Sequence, residues 1–347
     1  MRKQIYDALS DIVGKTRLVQ YEEIPNGNKI WIKKESENPW GSHYDRVYID
    51  LFREAEESGK IKPGDKVIET TSGSAGVSFA AIGKLLGYDC FVALPAGGEV
   101  AREKAILEHL PNKDHLIMTP AESYIAGFPQ FLKKFLPTHK DFYFLNHSMG
   151  PRDKTTGLFT CNETTIKAIA PIAYETLEEL SKKDIHLDYF ISAIGNGSNT
   201  LGIGRVLKDG CKVIGVETFQ SGAAYDLMKP GEYEKKYGIK PGELPRHKYP
   251  GTSYPGIPFP HIQSCITEKV LDDMILVSDS QMDKNYLEKT GRCDSTYLPH
   301  TDRDTLKDLH LGKTTKMTLA TALDLSEKVK DKNFLVIEYD KPERYDS

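Results

Sequence analysis

The sequence predicts an α/β fold of two doubly wound lobes with mostly parallel sheets, and three observations carry that prediction. The chain has 347 residues, past the size at which one hydrophobic core stops growing. Short, apolar, β-rich runs alternate with helical patterns over most of its length, which is the signature of strand–helix–strand units. Two turns rich in glycine and hydroxyl side chains each follow such a run and open a helix. The expected smaller lobe covers residues 40–150, and the larger covers 1–39 with 151–347.

Taken in order, residues 29–34 read as a strand and 46–58 as a helix. Residues 66–69 form a short strand that passes through a Thr-Ser-Gly turn into an apolar helix over 76–86. The strand expected over 89–94 is ended by Pro95 and the pair Gly97 and Gly98. Residues 187–193 lead into a glycine loop, with a helix following over 201–207; residues 212–216 and 333–337 complete the strands. Two regions break the rhythm. Residues 229–260, rich in Pro, Gly and Tyr, read as an irregular surface excursion, and residues 283–311 are polar with no period.

Hydrophobic residues make up 39% and charged residues 28%, an ordinary balance for a soluble protein. A net charge of −4 gives no basic footprint, so nucleic acid is not an expected partner. No apolar run reaches the roughly 18 residues of a membrane helix, so no membrane association is expected. Arg2, Lys3, Asp7 and Asp11 interrupt the first residues in a way foreign to a signal peptide. The five cysteines, Cys90, Cys161, Cys211, Cys265 and Cys293, are scattered and odd in number. That pattern suits buried thiols in a reducing cytoplasm. His261 and Cys265 lie four apart, with Cys293, His300 and His310 following. No CxxC or HxxxH accompanies them, and no metal site is expected.

Three segments carry candidate chemistry. Gly195, Asn196, Gly197, Ser198, Asn199 and Thr200 sit between a strand and a helix. Glycines there let the backbone approach an anion, and free N–H groups with two hydroxyls donate to it, which makes a phosphate cup; the alternative is a plain turn. Glu69, Thr70, Thr71, Ser72, Gly73, Ser74, Ala75 and Gly76 make a second such turn, suited to a carboxylate or phosphate. Taken alone, this turn reads more simply as a helix N-cap by Thr71 or Ser72. Between Glu35 and Arg46, Asn38 and Pro39 make a turn and Gly41 and Ser42 open a helix whose first turn carries Asp45 and Arg46.

In order and spacing these segments resemble the fold-type-II family of pyridoxal-5′-phosphate (PLP) enzymes, the group of cysteine synthase, serine and threonine dehydratases and tryptophan synthase β. Val13, Gly14, Lys15, Thr16, Arg17, Leu18 and Val19 match the family's "IGNTPLV". Residues 30–46 align without a gap to "IYVKLE…NPGGSVKDR", and 69–76 to "EPTSGNTG". Leu94, Pro95, Glu99 and Arg102 resemble "MPE…ERR"; Thr155, Thr156 and Gly157 resemble "TTG"; residues 195–200 resemble "GTGGT"; and 213–217 resemble "VVGVE". The resemblance runs from about residue 10 to 225 and returns at 312–337. It implies a tryptophan synthase β-like fold, PLP as cofactor, β-elimination or β-replacement on an amino acid, and a homodimer.

The departures fall where the chemistry would occur. The family's Schiff-base lysine position holds Tyr44, and a phenol forms no imine. The asparagine beside the PLP 3′-oxygen is matched by Ser74, and a glutamine for the substrate carboxylate by His147. The serine that meets the pyridine nitrogen is matched by Thr314 or Thr315, either of which offers the same hydroxyl donor. By this resemblance, residues 195–200 hold the phosphate, and Thr71, Ser72, Gly73 and Ser74 meet the substrate carboxylate. Two roles stay open for Tyr44: a general acid/base beside His43, or a ring filling the space left by lysine. Lys33 and Lys34 are expected as solvated or sheet-edge lysines, and Lys313 lies at the wrong end of the ring to replace the amine. A catalytically inactive homologue that binds a phosphorylated ligand or a partner protein is the alternative reading.

Overall fold

The computed structural model describes residues 2–21, 24–252 and 259–346. The chain forms two compact units: Met1–Thr16 with Glu35–Ile169 and Tyr339–Ser347, and Arg17–Lys34 with Ala170–Glu338. Among the described residues no helix is long and apolar enough to cross a membrane.

The described strands are β1 (Leu18–Gln20), β2 (Lys29–Lys33), β3 (Lys66–Thr70), β4 (Asp89–Pro95), β5 (Leu116–Thr119), β6 (Phe142–Phe144), β7 (Tyr189–Ala193), β8 (Lys212–Thr218), β9 (Asp273–Val277) and β10 (Asn333–Ile337). The first unit holds a four-stranded sheet in the order β5-β4-β3-β6, parallel throughout. The second holds six strands in the order β1-β2-β10-β7-β8-β9. There only β1 pairs antiparallel, on β2. This is the predicted α/β architecture with mostly parallel sheets. Its cause is visible along β8, where six consecutive residues after Lys212 are buried. A strand buried on both faces reads as a near-continuous apolar run and needs cover on both sides, the usual setting of parallel pairing. The buried Glu217 at the carboxyl end of β8 is met by the amides of Ala223, Ala224 and Tyr225.

The second unit's core packs Ile30, Ile32, Ile191, Ile214, Val216, Phe334 and Val336 from the sheet against Met317, Leu319 and Ala320. Met317, Leu319 and Ala320 belong to the helix Lys313–Ser326. In the first unit, the apolar helix Ser74–Leu86 buries nearly its whole surface. It starts two residues before the expected position, because Gly73 ends the preceding turn.

Residues 229–260 correct the sequence expectation. They carry the short helix Glu232–Tyr237, in which Tyr233 and Tyr237 are 0% and 1% exposed. Their rings join Phe219 and Tyr286 in one aromatic cluster. Each buried phenol needs a partner: Tyr233 donates to the Phe219 carbonyl at 2.8 Å, and Tyr286 to the Tyr237 carbonyl at 2.8 Å. The segment is therefore a satellite core whose tyrosines supply the apolar surface; its residues 253–258 lie outside the described residues. Residues 283–311 likewise acquire structure, through the helix Ser280–Thr290 capped by Asp279 and through His300, which pairs with Asp283 and Asp302 at 3.1 and 3.5 Å. Tyr233→Ala is expected to lower unfolding stability by about 3–5 kcal/mol, read from urea denaturation. A loss under about 1 kcal/mol would return the segment to the surface.

Candidate functional site

In the second unit, the glycine loop follows β7 and opens the helix Ser198–Leu207. Gly197 sits at φ +89°, and a Cβ there would lie 2.8 Å from the Ile262 amide nitrogen. Only glycine fits both the dihedral and the contact. Asn196 Oδ1 accepts from the Ser198 amide at 2.9 Å and its hydroxyl at 2.7 Å. The Thr200 hydroxyl pairs with Ser192 Oγ on β7 at 2.8 Å, so Thr200 contributes structure through its side chain. Gly195, Asn196, Gly197, Ser198, Asn199 and Thr200 are thus one contiguous turn at the carboxyl end of a parallel strand, where such sheets bind ligands. His261 and Cys265 lie on the helix Pro260–Thr267, which walls this turn; the Cys265 thiol donates to the Gly197 carbonyl at 3.8 Å. Among the described residues no group of three or more His, Cys, Asp and Glu is placed to hold a metal ion.

Thr314 and Thr315 occupy the first turn of the helix Lys313–Ser326, 7% and 0% exposed. Thr314 donates to the Pro250 carbonyl at 3.2 Å. Lys33 departs from its expected place at a solvated edge: its side chain is fully buried and pairs with Glu175 at 3.0 Å and Glu179 at 3.2 Å. Lys34 pairs with the buried Glu338.

In the first unit, residues 35–46 form a rigid platform. Glu35, fully buried, receives Arg46 Nε and Nη2 at 2.8 Å each, Thr16 Oγ1 at 2.7 Å and Asn38 Nδ2 at 2.8 Å. Asp45 accepts the Trp40 amide at 2.7 Å and Ser78 Oγ at 2.5 Å. These bonds fix the start of the helix Tyr44–Glu57 and hold the Tyr44 ring between His43 and His147, at centroid distances of 4.1 and 5.3 Å. Burial raises the Tyr44 phenol's pKa above its ordinary 10.0, and nearby Asp340 adds to the shift. The phenol stays protonated at neutral pH and cannot serve as a resting base. Burial likewise lowers the His43 pKa, leaving its imidazole neutral and donating from Nδ1 to the Tyr339 carbonyl at 3.1 Å.

His147 is held on every side. Its amide donates to Glu69 Oε2 at 3.1 Å, its Nδ1 lies 3.0 Å from the Tyr48 hydroxyl, and its Nε2 lies 3.1 Å from Ser148 Oγ. In the turn after β3, the Thr71 hydroxyl accepts from the Gly73 amide at 2.9 Å. Neither Thr71 nor Ser72 caps the following helix; Gly73 occupies the cap position at φ +152° without a side chain to offer. A Cβ on Gly73 would fall 2.1 Å from Arg102 Cδ. Ser74 Oγ donates to Asp340 Oδ2 at 2.5 Å. Tyr44, Thr71, Ser72, Gly73, Ser74 and His147 therefore belong to one unit, and residues 195–200, Thr314 and Thr315 to the other. Asp340 was missed as the partner of Ser74, because no sequence signal links positions 266 residues apart.

The family described as pyridoxal-phosphate dependent enzyme matches residues 9–287. The chain belongs to that family. It is similar to the cysteine synthase of Staphylococcus aureus strain N315, 26% identical over 249 residues covering 71% of this chain and 74% of that one. It is 28% identical over 272 residues to a probable cysteine synthase of Bacillus subtilis strain 168, covering 78% of each. Among solved structures, a hydrogen sulfide-producing enzyme from Fusobacterium nucleatum superposes at a TM-score of 0.72 with 23% identity, over 97% of this chain and 98% of that one. An O-acetylserine dependent cystathionine beta-synthase from Helicobacter pylori gives 0.71 at 21%, over 97% and 96%. At these identities the superpositions show the fold.

PLP is the cofactor of this family. The glycine cradle, into which no Cβ fits at Gly197, suits its phosphate end. Position 44 carries a phenol, which forms no imine, and Lys33 and Lys34 are both ion-paired.

Asp45 gives this region a pH dependence of known sign. Burial raises its pKa from 3.8 to about 7. Between those values the folded state binds more protons than the unfolded one, so stability falls as pH rises through that window and is level above it. Asp45→Asn keeps the hydrogen bonds to Ser78 and Trp40 within reach and is expected to flatten the slope. Thermal unfolding at about pH 5 and about pH 8 checks it; an unchanged difference would place the titrating group elsewhere.

Proposed function

We propose that this chain binds PLP, or a PLP–amino-acid adduct, without a covalent anchor, and that its chemistry is altered from the family's lysine-dependent reaction. The observation that carries the reading is position 44, which aligns with the Schiff-base lysine and holds a buried, protonated phenol. Gly195, Asn196, Gly197, Ser198, Asn199 and Thr200 would hold the phosphate, and a hydroxyl of Thr314 or Thr315 would face the pyridine nitrogen. Ser74 would lie between the ring 3′-oxygen and the substrate's carboxylate, which Thr71, Ser72, Gly73 and His147 would also meet. The substrate class is a small amino acid such as serine, O-acetylserine or cysteine, and the reaction class is β-elimination or β-replacement, as a lyase or transferase. Without an amine at position 44, turnover falls far below that of a lysine-bearing relative. Tyr44, protonated, fills the lysine's space and is a hydrogen-bond donor rather than a base. The chain is expected to be a cytoplasmic homodimer.

A second reading is a catalytically inactive homologue that holds a phosphorylated ligand or a partner protein. The ion pairs that engage Lys33 and Lys34 favour it, because they leave neither amine next to the motif free.

Absorbance of the full chain with PLP, followed by borohydride reduction and peptide mapping, separates these readings. The expected result is bound PLP with a free-aldehyde spectrum and no labelled lysine. Tyr44→Lys is expected to gain an aldimine band that borohydride fixes at residue 44. Gly197→Asp, which places bulk and negative charge in the cradle, is expected to lose PLP. An aldimine fixed on a lysine of the unaltered chain would overturn the proposal, and failure to bind PLP at all would favour the inactive homologue.

A further inference from the structure

The carboxyl-terminal segment of the first unit returns to the turn after β3 and places a carboxylate on it. Ser74 Oγ donates to Asp340 Oδ2 at 2.5 Å, Arg102 Nη2 donates to the same oxygen at 3.1 Å, and the Tyr345 hydroxyl donates to Oδ1 at 2.8 Å. Asp340 and Arg102 are 4% and 3% exposed. The same guanidinium donates from Nη1 to the Ser72 carbonyl at 3.4 Å and lies where a side chain on Gly73 would be. Arg102 thus ties Asp340 to Ser72, while Ser74 bonds to it directly. Residue 340 is held in place by an antiparallel bridge to Ser42, in the segment leading to Tyr44. The far end of the segment is anchored differently. The exposed Asp346 accepts the amides of Val100 and Ala101 at 2.8 and 2.9 Å, at the start of the helix Val100–Leu107.

We propose that Asp340 is an internal carboxylate seated where the turn of residues 71–74 would receive the carboxylate of an amino acid, and that residues 340–346 form a latch the ligand must displace. The proposal rests on the reading of residues 71–74 given above and adds the residue that governs their access. A hydroxyl and an arginine converging on one carboxylate are what recognition of a small carboxylic acid requires. Here the chain supplies its own acid. Asp340 also balances the local charge. Removing it leaves Arg102 buried without its ion-pair partner, near Arg344, whose Nη1 is already buried without a hydrogen-bond partner. An external anion then replaces a missing internal one, because an uncompensated buried cation is costly. Release starts at Asp346, since its bonds are exposed to water and weaker than those of Asp340.

The test is a thermal-shift titration of the full chain, with and without PLP, using L-serine, acetate and chloride at matched ionic strength. The unaltered chain is expected to respond weakly to L-serine. Asp340→Asn is expected to gain saturable stabilisation by both L-serine and acetate, with an apparent affinity for L-serine raised about tenfold or more. Asp346→Ala, at an exposed position with little folding risk, is expected to raise that affinity by about threefold while leaving acetate without effect. Equal L-serine affinity in the unaltered chain and in both variants would overturn the proposal. Acetate rescue of Asp340→Asn without any response to L-serine would overturn it by another route: Asp340 would then be only an ion-pair partner, and residues 71–74 would not be a carboxylate site. Loss of PLP binding with the L-serine gain intact would leave the latch standing and remove the cofactor reading instead.

Discussion

The Glu35 carboxylate is the constraint on which the first unit's candidate site depends. It is fully buried and receives Arg46, Thr16 and Asn38. Breaking a buried, hydrogen-bonded pair by removing one partner leaves a charge in the interior, at a cost of about 3–5 kcal/mol. Four donors on one carboxylate leave the loop no alternative arrangement. The consequence is directional: His43 and Tyr44 are delivered at the start of a helix with little freedom, so whatever stands at position 44 points to the same place. A family can exchange the residue at that position without disturbing its presentation. In this chain the platform presents a phenol at position 44.

Charge around that platform is arranged in pairs. Asp45 and Asp340 face Arg102 and Arg344, and the opposite charges act on one another through a poorly screened interior. Burial dominates the outcome for Asp45 and Tyr44, both pushed toward their neutral forms. A protonated phenol, a neutral His43 and an Asp340 carboxylate committed to Ser74 describe a site that donates hydrogen bonds more readily than it accepts protons. That is the reverse of what a lysine base supplies. In the glycine turn of the second unit the requirement is geometric: Gly197 is demanded by its dihedral and by Ile262.

Most of the strands and the two glycine-containing turns that open helices were legible in the sequence, because β-rich apolar runs and glycine signals are local. Helix starts were less so. The helix expected over 46–58 begins at Tyr44 and the one over 76–86 at Ser74, since the turns feeding them are closed by tertiary bonds from Ser78 and Arg102 rather than by their own caps. Tyrosine-rich residues 229–260 read as surface because Pro and Gly break any period there, yet Tyr233 and Tyr237 are buried once Phe219 and Tyr286 are beside them.

The sequence by itself determined the α/β class, the family, the glycine turn after β7 and the phenol at position 44, since each is written in residue type and spacing along the chain. Only the tertiary structure decided what those groups can do. It buried Lys33 against two glutamates, raised the Tyr44 phenol by desolvation, and carried Asp340 back across the chain to Ser74. The physical reason is that protonation and access depend on what surrounds a group in space, and those neighbours come from segments up to hundreds of residues away that share no local pattern.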